Sequence, residues 1–211
     1  MTRAMRSREA HTEETRRLIL AEAKRLFMSL GYRAVSTRMV ADACQLTQPA
    51  LYHHFSGKED LYVAVLIEEL AHLEVGLSRI ASGNETGRER LYRVAQFLIE
   101  RTDYDISLML HDIRSELTGE RSRLVSERFV AAMLTPIDIV LQTLADEGVL
   151  KSADKLHMVP MHLAMYFLYQ LGFVVRPRPA TARHQAMADA EAGMDRAEQV
   201  VDLFLNGAGK H

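Results

Sequence analysis

Cysteine is nearly missing from this chain: Cys44 is the only one in 211 residues. One thiol cannot close an internal disulfide, which excludes a cross-linked secreted scaffold and points to a reducing compartment. Arg3, Arg6 and Arg8 have no apolar run behind them, so no signal peptide is expected and the chain is assigned to the cytoplasm. The one long apolar stretch, Met158 to Val175, is interrupted by Pro160, His162, Tyr166, Tyr169, Gln170 and Gly172. It barely reaches spanning length and reads as a buried helix, with no membrane partner. Strand-like alternation is absent, so the fold class is all-α.

Catalytic signatures are missing too. The chain shows no Ser-His-Asp order, no glycine-rich phosphate loop, no nucleophile elbow and no paired-cysteine zinc site, so an enzyme is not expected. His53 and His54 are adjacent, which on a helix sets them about 100° apart and unable to share an ion. His111, Asp112, His157 and His162 offer no two ligands at i, i+3 or i+4, so neither a metal nor a cofactor is expected. Charge of one sign is not in excess: the net is −2. It is uneven, however, with residues 1–63 at +3 and the rest at −5. A mildly basic head on an acidic body suits a protein whose head alone meets phosphate.

What is present concentrates between Val35 and Asp60. Ser36 or Thr37 can cap a short helix with Met39, Val40 and Ala43 turned inward, ending near Cys44 to Leu46. Cys44 itself reads as a small hydrophobe in the turn. Thr47 caps a second helix, Pro49 sits in its first turn, and Leu51 and Phe55 at i, i+4 form its inward edge. Gln48, Ala50, Tyr52 and His53 then face out. Two short helices joined by about three residues, with polar and aromatic groups outward on the second, form the layout of a helix-turn-helix that reads a DNA major groove. The Gln48 amide can pair with a base edge, adenine by preference, and Ala50 can touch a thymine methyl. Arg38 can reach a base or the backbone.

Ala41-Asp42-Ala43, then Thr47-Gln48-Pro49-Ala50-Leu51-Tyr52-His53-His54-Phe55, then Lys58-Glu59-Asp60-Leu61, resembles the TetR family of bacterial one-component transcriptional regulators. The likeness runs from about Thr15 to Val65. It implies phosphate contacts for Thr37, Tyr52, His53 and Lys58. Where that family usually places a glycine in the turn, this chain has Gln45, at a cost of roughly 1 kcal/mol or more if the turn needs positive φ.

The helical pattern around this segment sets the expected architecture. Residues 1–11 read as a polar, frayed tail. Thr12 with Glu13 and Glu14 starts a first helix carrying Ile19, Ala23, Leu26, Phe27 and Leu30, and Gly31 ends it. Ser56-Gly57-Lys58-Glu59 reads as a capping box for a fourth helix running toward Ile80, with Ser82 to Gly87 a loop. Later helices carry Leu91 to Ile99, Ile106 to Leu117, and a long one from about Glu120 to Asp146 that Pro136 should kink near Ala132. An eighth covers about Lys155 to Val174, and a ninth carries Met194, Ala197, Val200, Val201, Phe204 and Leu205. About nine helices result: a three-helix head at 12–60 and a body at 61–206.

One head reads few base pairs, so specificity asks for two, about 34–36 Å apart, and hence a homodimer. Met161, Met165, Leu168, Tyr169, Gly172 and Phe173 run almost all the way round their helix, and with Ala197, Val200, Val201 and Phe204 supply a four-helix seam, which the resemblance also implies. A small-molecule effector is expected in the body. Its apolar liners would come from Phe97, Met109, Ile113, Met133, Ile137 and Met165, its polar anchors from Arg101, His111, Gln142, Tyr166 and Tyr169. The expected function is a ligand-responsive regulator, a repressor that binds a palindromic operator. The alternative is a helical module that binds a small molecule or protein without DNA.

Overall fold

The computed structural model describes residues 3–101, 106–150, 160–174 and 186–208. They form α-helices with no strand among them: α1 Arg3–Ala34, α2 Thr37–Ala43, α3 Gln48–Tyr52, α4 Lys58–Ala81, α5 Gly87–Arg101, α6 Ile106–Ser115, α7 Gly119–Phe129, α8 Thr135–Asp146, α9 Pro160–Val174 and α10 Ala186–Ala208. None of the described helices is long and apolar enough to cross a membrane. The expected start of the eighth helix near Lys155 lies outside the described residues.

Contacts divide the chain into two compact units. The first comprises Met1–Glu69 with Leu108–Val125, and the second Leu70–Ser107 with Ser126–His211. In the first, Ile19, Ala23 and Phe27 of α1 share a core with Val40 and Ala41 of α2, Leu51 of α3, and Leu61, Tyr62 and Leu66 of α4. In the second, α5 lies against α8 and α10, and α9 against the same two helices. Leu91, Val94, Leu98, Ile137, Val140, Phe167, Val200 and Phe204 fill the space between them, with the Phe167 and Phe204 rings edge to face at 5.3 Å.

Several boundaries differ from the expected ones. α1 begins at Arg3, not Thr12, because residues 3–11 contain no glycine or proline and are strong helix formers, so nothing stops the helix extending backward. Gly31 does interrupt it, at φ 78, a conformation that glycine adopts without steric penalty. Leu30 is exposed and so is Met39; the inward face of α2 is Val40, Ala41 and Cys44 instead. α4 starts at Lys58, within the bounds expected for it, and the Gly57 carbonyl accepts from Leu61 N–H at 3.1 Å. A capping box does occur further on, in the stretch read as plain loop. Thr86 N–H and hydroxyl both donate to Glu89, whose own N–H donates to the Thr86 hydroxyl. Those bonds hold the Glu89 carboxyl below its ordinary value.

Pro136 makes itself felt one turn upstream. Its missing N–H and bulky ring are accommodated by a wide π-turn, Val130–Leu134, which encloses Ala132. Thr135 closes that turn by donating both its N–H and its hydroxyl to the Val130 carbonyl, the latter at 3.1 Å.

Candidate nucleic-acid interface

Local chemistry alone builds α2 and α3. The Ser36 hydroxyl accepts from Met39 N–H at 3.2 Å and the Thr47 hydroxyl from Ala50 N–H at 3.3 Å, each satisfying a donor that a first helical turn leaves free. Between them, Leu46 N–H donates to the Ala41 carbonyl and Gln45 N–H to that of Asp42, the pair of bonds that closes a helix through a left-handed residue. That residue is Gln45, at φ 56. The strain foreseen for a non-glycine here is therefore present. Replacing Gln45 with glycine removes about 1–2 kcal/mol of left-handed strain and restores about 0.5–1 kcal/mol of unfolded-chain entropy. Gln45→Gly should stabilise the protein by roughly 0.5–1 kcal/mol, read as a higher denaturation midpoint at unchanged slope, with no gain from Gln45→Ala.

Beneath the turn, Cys44 is buried with its sulfur 3.9 Å from the Leu18 carbonyl, and burial pushes its thiol up. It is packing, not a reactive group. Leu51 and Phe55 are buried as well, and the Arg16 guanidinium lies 4.4 Å above the Phe55 ring. This anchors α3 from one side only. Gln48, Pro49, Tyr52 and His53 are left exposed, with Arg38 and Thr47, while Thr37 and Ala50 are half-buried. Tyr52 and Thr37 share a hydroxyl–hydroxyl bond of 3.2 Å that joins the end of α3 to the start of α2. Arg38 makes only a loose 3.9 Å pair with Asp42, both ends in solvent, and remains available. Lys58 is the exception. Its ammonium sits 4.2 Å above the Tyr32 ring and donates to the Arg33 carbonyl at 3.4 Å, and loss of water holds its pKa down.

Behind this face is a buried polar centre that periodicity could not reveal. The Asp112 carboxylate accepts from the Tyr62 hydroxyl at 3.0 Å and from Tyr32 N–H at 3.1 Å, among the packed rings of Phe27, Tyr32 and Tyr62. Burial first, then the Asp112 charge, push the Tyr62 phenol far above the ordinary tyrosine value. The fold thus holds the neutral phenol, whereas the unfolded chain ionises it near about pH 10. Its stabilisation is complete below about pH 10 and drains away as pH rises beyond, so alkaline unfolding should be weaker in Tyr62→Phe than in the parent, as followed by helical circular dichroism.

The sequence profile of the family described as bacterial regulatory proteins, tetR family, matches residues 19–65, which hold α2, α3 and the core that seats them. The match identifies this head as a TetR-type DNA-binding segment. Among curated relatives, the transcriptional activator FasR of Mycolicibacterium smegmatis is 30% identical over 93 residues, covering 44% of this chain and 42% of FasR. The regulator AcrR of Shigella flexneri is 30% identical over 122 residues, 58% of this chain and 51% of AcrR. The chain thus matches about half the length of these relatives. Among solved structures, the TetR-family regulator PfmR of Thermus thermophilus aligns with TM-score 0.66 at 22% identity, covering 89% of this chain and 97% of that one. AibR, in complex with isovaleryl coenzyme A and operator DNA, aligns with TM-score 0.65 at 22% identity over 92% and 98%. These likenesses show that the TetR-family fold extends over the body.

The residues expected to meet an effector fall in both units. His111, exposed, and Ile113, buried, belong to the first unit. In the second, Met133 and Ile137 are fully buried, Gln142 is exposed and donates to Asp146 at 2.9 Å, and Phe97 occupies the space a side chain on Gly76 would need. The side chains of Arg101 and Met109 lie outside the described residues. Clefts of about 440 Å³ and about 220 Å³ open among the described residues of this unit; Phe97 lines the smaller, beside Arg79 and Arg93. Among the described residues no three of His, Cys, Asp and Glu are grouped to hold a metal.

The seam needs correction. Ala197, Val200, Val201, Phe204 and Leu168 are already covered inside this chain by packing of α10 and α9, so they are core and not surface that a second copy can touch. Phe173 lies outside the described side chains, and Met165 and Gly172 are half-buried. Among the described side chains of these helices, the large exposed apolar residues are Met161 (45%), Tyr166 (42%), Tyr169 (63%) and Leu203 (55%). Tyr166 and Leu203 were not in the expected set.

Proposed function

We propose that this chain is a ligand-responsive transcriptional regulator of the TetR family, a repressor that binds a palindromic operator as a homodimer and is released by a small-molecule effector. The observation that carries this reading is the one-sided burial of α3, with Leu51 and Phe55 sealed inward and Gln48, Pro49, Tyr52 and His53 exposed together. Such a helix, capped at its start and too short to stand alone, exists to present that face. Catalysis has no place in this reading. Effector control draws support from the neighbour seen with both an acyl-coenzyme A and operator DNA, although the effector class for this chain is left to ligand screening by thermal shift.

In this reading Gln48 specifies and the cations position. Gln48→Ala should relax base choice by about 1–3 kcal/mol at one position of each half-site while leaving other sequences bound as before. Lys58→Ala should weaken every sequence alike and flatten the salt slope by about 0.9. Electrophoretic shift at several salt concentrations, on palindromes from the chain's own promoter region and on a scrambled duplex, separates the two effects. Absence of specific retardation on any such palindrome would favour a helical binding module without DNA.

A further inference from the structure

The turn after Gly31 is held from two sides. On one side it receives Lys58, whose ammonium rests 4.2 Å above the ring of Tyr32 and bonds the carbonyl of the next residue, Arg33, at 3.4 Å. On the other it is tied to α6. Tyr32 N–H donates to the Asp112 carboxylate at 3.1 Å, and the Arg33 guanidinium meets the Glu116 carboxylate at 2.7 Å. Asp112 and Glu116 are one helical turn apart, with Glu116 N–H bonded to the Asp112 carbonyl at 2.9 Å, so both carboxylates leave the same edge of α6. The consequence is that the two resting partners of Lys58 are consecutive residues, and each is fastened to that edge by its own acid.

We infer that Asp112 and Glu116 are positioning residues for Lys58: by holding the Tyr32–Arg33 turn they keep the lysine parked, and α6 thereby sets how readily the head makes one of its phosphate contacts. The inference rests on reading the head as a DNA-binding element. An ammonium that must leave an aromatic face and a carbonyl before it can meet phosphate binds as if only part of the protein were competent. Loosening either tie therefore raises affinity for any duplex, independent of sequence. A displacement of α6 moves both ties at once.

The test uses the full chain and a mixed-sequence duplex as probe. Glu116→Gln, which disturbs an ion pair whose arginine end is solvent-exposed, should tighten duplex binding about three- to tenfold, and the gain should vanish when Lys58→Ala is added. Glu120→Gln removes the same charge from a fully exposed site in the first unit and should leave affinity unchanged. A gain that survives Lys58→Ala, or no gain at all, would overturn the inference. Asp112→Asn, which retains one carbonyl oxygen, provides a second variant with the same expectation. A reading free of DNA comes from reductive methylation with carbon-13, since the chain has only five lysines. The Lys58 dimethylammonium signal should be displaced by the Tyr32 ring in the parent and return to the position of exposed lysines in Glu116→Gln. A parent signal already at that position would refute the parking, whatever the DNA results. Failure of the regulator reading, with no palindrome bound specifically, would leave this signal where it is.

Discussion

Replacing Asp112 with alanine is expected to lower stability by about 3 kcal/mol, a melting shift of about 6–12 °C for a chain of this size. The carboxylate is only 5% exposed, and it is the sole acceptor shown for two donors, the Tyr62 hydroxyl and Tyr32 N–H. Hydrogen bonds to an ionised acceptor contribute about 1.5–3 kcal/mol each, and a donor left buried without one loses about 1–3 kcal/mol. Against that, alanine relieves the desolvation of a buried charge, which keeps the net below the sum. Tyr62→Phe removes one donor together with its need for a partner and should cost about 1–2 kcal/mol. Asp112→Asn keeps an oxygen in place and should fall between. If calorimetry placed alanine level with phenylalanine, the bond from Tyr32 would contribute nothing and the α6 tie would reduce to a single hydroxyl.

That centre also marks the limit of what one strand of sequence can disclose. α2 and α3 were legible because their signals are local: Ser36 and Thr47 each bond a group three residues ahead, and Leu51 and Phe55 lie one turn apart. The strain at Gln45 was legible for the same reason, being set by its own φ. Asp112 was not, since its partners lie 50 and 80 residues away and nothing near it in the chain distinguishes it from a solvated acid. Lys58 was legible as a cation beside the reading helix, but its contact with Tyr32 requires the break at Gly31 to turn the chain back. The eighth and ninth expected helices show a third kind of limit. α9 is apolar nearly all round, so periodicity cannot say which face is claimed by α8 and α10 and which is left over. Only packing decides, and it takes Leu168, Val200 and Phe204 inward while leaving Tyr166 and Tyr169 in solvent.

That leftover face leads to the largest functional effect expected. In the homodimer proposed above, Tyr166→Glu with Tyr169→Glu should convert the dimer to a monomer and weaken operator binding by about 10³-fold or more, while leaving the helical content intact. Both side chains are exposed in the single chain, and Tyr166 keeps a ring contact with Phe204 at 6.2 Å, so the packing lost when they change is small beside that of a core residue. In a two-fold seam each substitution appears twice, and four carboxylates would have to be buried opposite one another without partners, at several kcal/mol apiece. A lone head keeps only its salt-dependent, sequence-independent affinity, because the second half-site contributes nothing unless it is tethered to the first. Val75→Glu, equally exposed at 62% but on α4, serves as the matched control and should leave mass and affinity as they were. Sedimentation and electrophoretic shift on the same samples decide the matter. A double variant that remains a dimer would move the seam off α9, whereas a monomer that still binds a palindrome at full strength would remove the reason for two heads altogether.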